Sequence, residues 1–180
     1  MPFIETPIAD LLLFEPQVWK DDRGYFYESY NQKTFESAGL HYHFVQDNEA
    51  KSSRGVLRGL HYQRGAAAQA KLVRVTQGEV FDVAVDLRAS SPTYGQWYGV
   101  QLSAENKRQL LVPRGFAHGY LVTSETAVFS YKCDNFYDKS AEGGLIYNDP
   151  TVGVRWPNVG VAHQLSEKDT ILPKLANVLR

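Results

Sequence analysis

The residues around His61 have the types and spacing needed for acid–base chemistry beside an anion. Arg58 precedes His61 by three positions, and Lys71 follows it by ten. A neutral imidazole can accept a proton near neutral pH, and arginine or lysine can stabilise a negatively charged oxygen. A single histidine is more often a satisfied polar group than a catalyst. The two nearby cations favour a base beside an oxyanion-stabilising group.

The same part of the chain concentrates positive charge. Residues 50–78 contain no Asp or Glu, although the whole chain has a net charge of only −1. A solvated surface with its acidic partners elsewhere would explain this pattern, and so would a site for phosphate or an oxyanion. Because Arg58 and Lys71 lie among apolar, strand-like residues, the pattern favours an anionic ligand inside a barrel. The basic residues are Lys51, Arg54, Arg58, Arg64, Lys71 and Arg74.

The histidines do not form a complete set of metal ligands. The stretch Pro113-Arg-Gly-Phe-Ala-His118 resembles the second half of the cupin metal-binding signature, Pro-x-Gly-x-x-His. The first half needs His-x-His and a nearby Glu, but Gln63 stands two positions after His61. Two histidines are too few for a typical site. We interpret the pair His41 and His43 as structural, and we expect no metal.

Short strands separated by Gly, Pro and Asn must position these side chains. The clearest is 80–87, where apolar residues occupy the odd positions and Asp82 and Asp86 share the other face. Further strands are predicted at 71–76, 97–102, 109–112, 119–122 and 127–132. Helical patterns are limited to 31–38, ended by Gly39, and to 167–178, broken around Pro173. This pattern predicts an all-β sandwich or barrel of jelly-roll type with a few short peripheral helices.

Composition places the chain in a restricted set of classes. Its 180 residues predict one domain over 1–180, without a linker or repeat. The near-zero net charge gives no reason to expect nucleic acid or membrane as a partner. The apolar run 11–14 is too short for a signal core or a membrane span, and the single cysteine, Cys133, fits a reducing compartment. We expect a cytoplasmic protein.

Seven stretches together resemble the dTDP-4-dehydrorhamnose 3,5-epimerase family, in its order and spacing. They are Gln46-Asp-Asn48, 53–63, 70–74, 78–88, 113–119, Tyr131-Lys-Cys133 and 165–169. The resemblance implies a cupin enzyme that needs no cofactor. It would convert dTDP-4-dehydro-6-deoxy-D-glucose to dTDP-4-dehydro-L-rhamnose by inverting C3 and C5 through enolates, in dTDP-L-rhamnose biosynthesis.

The resemblance also implies roles for individual positions. His61 matches the base, and Asp169 matches the acid that orients it. Tyr131 matches the proton donor on the opposite face of the sugar, while Lys71 matches the group that stabilises charge on the C4 oxygen. Tyr137 matches a position that stacks on thymine. The matching substrate-binding positions are Arg23, Glu28, Gln46, Asp47, Asn48, Arg58, His118, Tyr137, Glu142 and Lys168.

One segment departs from the family pattern. Residues 63–70 read Gln-Arg-Gly-Ala-Ala-Ala-Gln-Ala, where an alanine run replaces a common proline. Since Gln69 and Lys71 are retained, we expect a changed loop rather than lost chemistry.

Other functions remain compatible with the sequence. One is a monofunctional 3- or 5-epimerase, or a ketoisomerase, of a dTDP-4-keto-6-deoxy sugar; another is a non-catalytic cupin that binds a nucleotide sugar. The resemblance further implies a homodimer, in which Arg23 and Glu28 reach the partner's site.

Overall fold

Two antiparallel sheets and a separate hairpin make up the fold. The computed structural model describes residues 2–178. The strands are β1 (Phe3–Glu5), β2 (Leu12–Phe14), β3 (Trp19–Asp21), β4 (Gly24–Phe26), β5 (Gln46–Ser53), β6 (Leu57–Gln63), β7 (Lys71–Gln77), β8 (Glu79–Asp86), β9 (Trp97–Ser103), β10 (Gln109–Val112), β11 (Phe116–Val122), β12 (Thr126–Cys133) and β13 (Glu142–Gly144). The helices are α1 (Gln32–Ser37) and α2 (Glu167–Thr170), with 3-10 turns at Gly65–Ala67, Lys139–Ala141 and Leu175–Asn177.

The strand order places sequence-distant segments side by side. One sheet has six strands in the order β1-β2-β10-β7-β12-β5, and the other has five in the order β13-β6-β11-β8-β9. Strands β3 and β4 form the hairpin. The two sheets, with little helix around them, confirm the all-β prediction. Within residues 2–178, no helix is long and apolar enough to cross a membrane.

The main core lies between the two sheets. Val73 and Phe129 of the six-stranded sheet belong to the same buried cluster as Val80, Leu102 and Val122 of the five-stranded sheet. Full burial of such a side chain stabilises the fold by about 1.5–3 kcal/mol. This layer therefore holds the sheets face to face at one end, and the polar cavity described below opens beside it.

The outer faces of both sheets are covered by peripheral segments. Phe35 of α1 packs on Phe14, Leu72 and Leu111 of the six-stranded sheet. Asn31 begins α1, because its side chain accepts a hydrogen bond from the Lys33 amide. The C-terminal segment covers the five-stranded sheet with a second apolar cluster, to which Leu145, Val152, Leu175 and Val178 contribute.

The second predicted helix, 167–178, is much shorter in the structure. Only Glu167–Thr170 is α-helical, and a separate 3-10 turn forms at Leu175–Asn177. Pro173 lies between them, where it lacks an amide hydrogen and restricts the residue before it. The short helix still matters for function, because it carries Asp169.

Candidate active site

A cavity of about 530 Å³ opens between the two sheets. Its lining includes residues from β6 and β11 on one wall, from β7 and β12 on the other, and from the segment leading into α2. It brings together seven of the positions predicted from the sequence. These are Arg58, His61, Lys71, His118, Tyr131, Lys168 and Asp169.

A bulge in β6 brings Arg58 and His61 to the same cavity. In a regular strand, residues three apart point to opposite faces. Here Arg58 pairs with Tyr120 and His61 with His118, so three steps along β6 oppose two along β11. Gly59 permits this contact, since its φ is +128° and a Cβ there would lie 2.6 Å from the β11 backbone. The extra residue turns both side chains toward one site.

His61 is held by a carboxylate from outside its sheet. Its Nε2 lies 2.5 Å from Oδ1 of Asp169, which is almost fully buried. Ser166 caps α2 by accepting a hydrogen bond from the Asp169 amide. Burial raises the pKa of Asp169, but the hydrogen bond and charge of His61, together with Ser166, lower it below its ordinary value. An ionised Asp169 can only accept, so Nε2 carries the hydrogen.

Tyr131 and Lys71 lie on the opposite wall. They belong to neighbouring strands of the six-stranded sheet, and the Lys71 ammonium lies 5.9 Å from the centre of the Tyr131 ring. Burial raises the pKa of Tyr131 to about 12, although Arg58 acts in the other direction. The phenol is therefore protonated at neutral pH. Burial lowers the pKa of Lys71, and Cys133 and Asp82 partly offset that change.

A second histidine–aspartate pair lies next to the first. Nε2 of His118 is 2.9 and 3.0 Å from the two carboxylate oxygens of Asp82, and both side chains are buried. Arg58 is fixed separately, because its Nε donates to Ser52 Oγ at 3.1 Å. The five-stranded wall thus presents one accessible imidazole and several anchored polar groups.

The predicted residues of β5 divide between the two faces of their sheet. Asn48 pairs with Tyr131, and its amide contacts the Cys133 sulfur. Gln46 Oε1 accepts a hydrogen bond from the Tyr137 amide. The Asp47 carboxylate lies on the other face, where it pairs with Lys132 at 2.9 Å. Gln46 also donates to Asn48, so these two side chains link the strand position beside Tyr131 to the exposed Tyr137.

Besides the three β5 residues and Tyr137, three further predicted positions are not part of the cavity lining in this single chain. Arg23 is exposed and pairs with Asp21, and Glu28 accepts a hydrogen bond from Asn31. Glu142, on β13, forms an ion pair with Lys168 at 2.5 Å. That pair lies at the cavity mouth, since Lys168 is also part of the cavity lining.

Comparison with known proteins identifies the family of this chain. A family model described as dTDP-4-dehydrorhamnose 3,5-epimerase matches residues 5–177. The dTDP-4-dehydrorhamnose 3,5-epimerase of Salmonella typhimurium is 56% identical over 180 residues, which cover 99% of this chain and 98% of that protein. This chain belongs to the dTDP-4-dehydrorhamnose 3,5-epimerase family. The match confirms the predicted family and its enzyme class, an isomerase.

Solved members of the epimerase family have the same fold. The dTDP-6-deoxy-D-glucose-3,5-epimerase of Legionella pneumophila, in complex with dTDP-4-keto-L-rhamnose, has a TM-score of 0.93 at 50% identity, covering 97% of this chain and 93% of that chain. A 3'-monoepimerase from Streptomyces bikiniensis, in complex with dTDP-quinovose, has a TM-score of 0.90 at 32% identity, covering 95% and 86%. The predicted jelly-roll fold of the family is confirmed. Both neighbours bind dTDP-sugars, so the fold alone does not separate one inversion from two.

Two residues of the epimerase site were not identified from the sequence. Ser166 lines the cavity and caps the helix that carries Asp169. Its spacing, Ser-x-x-Asp, is a helix-start signal that could have located it. Asp82 was recognised only as one polar face of a strand, and its pairing with His118 depends on the neighbouring strand. Across residues 2–178, no group of three or more His, Cys, Asp or Glu is arranged to hold a metal ion.

Proposed function

We propose that this chain inverts C3 and C5 of dTDP-4-dehydro-6-deoxy-D-glucose to give dTDP-4-dehydro-L-rhamnose. The observation that carries the proposal is the position of His61 and Tyr131 on opposite sheets across one cavity. Inversion needs a base on one face of the sugar ring and an acid on the other. A histidine held by Asp169 and a protonated tyrosine fit these two roles.

His61 removes the proton from the carbon next to the ketone. Since Nε2 is paired with Asp169, Nδ1 is the nitrogen left to accept it. The carbon–hydrogen bond electrons form an enolate with the C4 oxygen, and the buried carboxylate stabilises the new imidazolium. Tyr131 then delivers its phenolic proton from the opposite side. The charge of Arg58 favours the resulting tyrosinate, because it lowers the pKa of Tyr131.

A second inversion requires both groups to recover their starting states. The imidazolium loses its proton and the tyrosinate regains one, so no net proton is consumed. His61 is partly exposed, which allows exchange with solvent between the two steps. The same pair can then act at the other carbon, because C3 and C5 both adjoin the C4 ketone.

Lys71 stabilises the enolate in this proposal. Its ammonium lies in the same cavity, in a setting where burial makes an ionic interaction stronger than in water. Arg58 and His118 hold the nucleotide sugar from the other wall, and Tyr137 stacks on thymine. Such remote contacts fix the reacting carbon relative to the base.

We also propose that the enzyme is a cytoplasmic homodimer. The hairpin of β3 and β4 exposes Trp19, Tyr25 and Phe26, and large exposed apolar patches often mark association surfaces. Arg23 and Glu28 lie in the same N-terminal region, outside their own cavity. A second copy packed on the hairpin would bring them to its site. Size measurement by light scattering tests this, and a fully active monomer would contradict it.

Solvent exchange followed by NMR tests the proposed reaction. The 4-keto-6-deoxyglucose nucleotide is incubated in deuterium oxide with wild type, His61→Ala, and His43→Ala as an exposed-histidine control. We expect deuterium at both C3 and C5 with wild type and the control, and at neither carbon with His61→Ala. Deuterium at one carbon only would indicate the single-site reaction. Substrate binding without any exchange would indicate a binding protein.

A further inference from the structure

The loop after β12 is fixed by side-chain amides although its aromatic residues are exposed. We call residues 134–138 the aromatic loop. Phe136 and Tyr137 are 66% and 52% exposed. Such exposed rings make little packing contact with the protein, so the position of Tyr137 depends on how the backbone of the loop is held.

Three glutamine side chains bind the backbone of the aromatic loop. Gln46 Oε1 accepts from the Tyr137 amide at 3.1 Å, and Gln63 Oε1 accepts from the Asp138 amide at 2.8 Å. Gln69 Nε2 donates to the carbonyl of Asn135 at 2.8 Å. Hydrogen bonds therefore reach the loop on both sides of its two aromatic residues.

The loop is also tied to the segment that departs from the family sequence. Asn135 Nδ2 donates to the Ala66 carbonyl at 2.9 Å, within the alanine run. Asn135 Oδ1 accepts from the Phe136 amide in turn. The alanine run thus contributes a backbone acceptor for the Asn135 side chain, and Gln69 in turn donates to the Asn135 carbonyl. This arrangement does not require a particular side chain at Ala66 itself.

Gln63 connects the aromatic loop rigidly to the base. It is 7% exposed and ends β6, two residues after His61. Residues two apart on a strand point to the same face. The spacing between the imidazole and the aromatic loop is therefore set by one strand and one hydrogen bond from a buried side chain. Because the Gln63 side chain is itself buried, its oxygen has a fixed position, and the bond to the Asp138 amide limits where the loop can lie.

We propose that Gln63 and Gln69 are positioning residues that hold Tyr137 for nucleoside binding. The inference rests on the proposed role of Tyr137 in stacking on thymine. Neither glutamine takes part in proton transfer. Their loss raises KM for the nucleotide sugar and weakens dTDP binding, while kcat for bound substrate changes little.

Calorimetric titration with dTDP tests the inference in a double-mutant cycle. Gln63→Met keeps the side-chain length but removes the acceptor, and we expect about fivefold to tenfold weaker binding. Tyr137→Ala should weaken binding as well. In the double variant, Gln63→Met should have almost no further effect, because the side chain that it positions is gone. Independent, multiplicative losses would overturn the inference.

Matched variants separate positioning from general damage. Gln101→Met removes a strand amide that donates to Thr123 at a distance from the cavity, and it should leave dTDP binding unchanged. Gln63→Glu keeps an acceptor and should restore binding toward wild type. Gln69→Met tests the second contact and decides the matter if Gln63→Met does not fold. If Gln63→Met or Gln69→Met lowered kcat without changing KM, the inference would be contradicted.

The failure of the proposed function can be distinguished from the failure of this inference. If Tyr137→Ala binds dTDP as wild type does, the stacking role is wrong, and the positioning role falls with it. If Tyr137→Ala weakens binding and both glutamine variants do not, only the positioning role is overturned.

Discussion

Two histidine–aspartate pairs lie side by side in this molecule, and they differ in access. His61 and His118 are opposite each other on β6 and β11. The His61 side chain is 33% exposed and that of His118 is 7% exposed. In both pairs an aspartate lies within hydrogen-bonding distance of Nε2. The same pair of residue types therefore occurs twice at this cavity, once with a partly exposed imidazole and once with an almost fully buried one.

The source of the aspartate explains the difference. Asp82 comes from β8, the direct neighbour of β11, so its pair with His118 is enclosed by the sheet. Asp169 comes from α2, outside both sheets. It contacts one side of the His61 ring, so the other side of the ring can face the cavity. An imidazole that takes up and releases protons needs both an orienting partner and access to substrate and solvent. His61 meets both requirements, whereas the His118 imidazole reaches the cavity but is almost closed off from solvent.

The largest expected difference is between His61→Gln and His118→Gln. Loss of a positioned general base lowers turnover by about 10²–10⁴-fold, and we expect this for His61→Gln. His118→Gln should raise KM and lower kcat by less than about tenfold, because it removes hydrogen bonds rather than the proton acceptor. Steady-state kinetics on both variants, with thermal melting to verify folding, tests the contrast. If the two variants lost kcat equally, the assignment of His61 rather than His118 as the base would be contradicted.

A smaller effect, on the pH dependence of kcat, distinguishes Asp82 from Asp169. Asp82 raises the pKa of Lys71 against the lowering effect of burial. Asp82→Asn removes that support, so Lys71 should lose its proton at lower pH. We expect the alkaline limb of the kcat profile to move to lower pH. Tyr131, with its pKa near 12, does not titrate in this range.

Asp169→Asn is the matched comparison for that experiment. It should lower kcat across the whole profile, because it disturbs His61, but it should leave the alkaline limb where it was. Asp169 is not among the groups that shift the pKa of Lys71. A wild-type alkaline limb in Asp82→Asn would show that Lys71 does not set it.

The sequence predicted the strands whose hydrophobic pattern is regular. The predictions at 71–76, 97–102 and 127–132 correspond to β7, β9 and β12 with shifts of at most one residue at either end, and 109–112 coincides with β10. The prediction at 119–122 covers only the second half of β11. β11 is buried along its whole length. Its first half was not predicted, because Gly119 and the preceding Pro113-Arg-Gly115 are more typical of a turn.

Two of the missed strands, β5 and β6, have polar or irregular patterns. β5 is polar along most of its length, since one face lies toward the site and the other toward solvent. β6 contains the bulge at Gly59, which interrupts its alternation. The resemblance placed His61, Asp169 and Tyr131 in roles, but no sequence pattern could reveal that a bulge turns Arg58 and His61 to one side. Likewise, the pairing of Asp82 with His118 depends on strand order.

A third buried aspartate provides the smallest expected effect on catalysis. Asp86 is fully buried but lies outside the cavity, with Arg88, Ser91 and Thr93 as its partners. Burial opposes its charge, yet these hydrogen bonds lower its pKa to about 2. A folded-state pKa below the ordinary value of 3.8 means that Asp86 stabilises the fold above about pH 4. That contribution is lost as the pH falls toward 2.

Asp86→Asn should therefore lower the free energy of unfolding at pH 7 by about 2 kcal/mol, with kcat unchanged. Urea denaturation at pH 7 and at pH 3 measures this, and the difference between wild type and variant should shrink at the lower pH. A large loss of kcat with normal stability would contradict this prediction, because it would show that Asp86 acts in catalysis rather than in stabilising the fold. Asp86 and Asp169 are both buried and both have a lowered pKa. If Asp86→Asn leaves kcat unchanged, these shared properties do not make an aspartate catalytic. The role of Asp169 then follows from its contact with an accessible histidine.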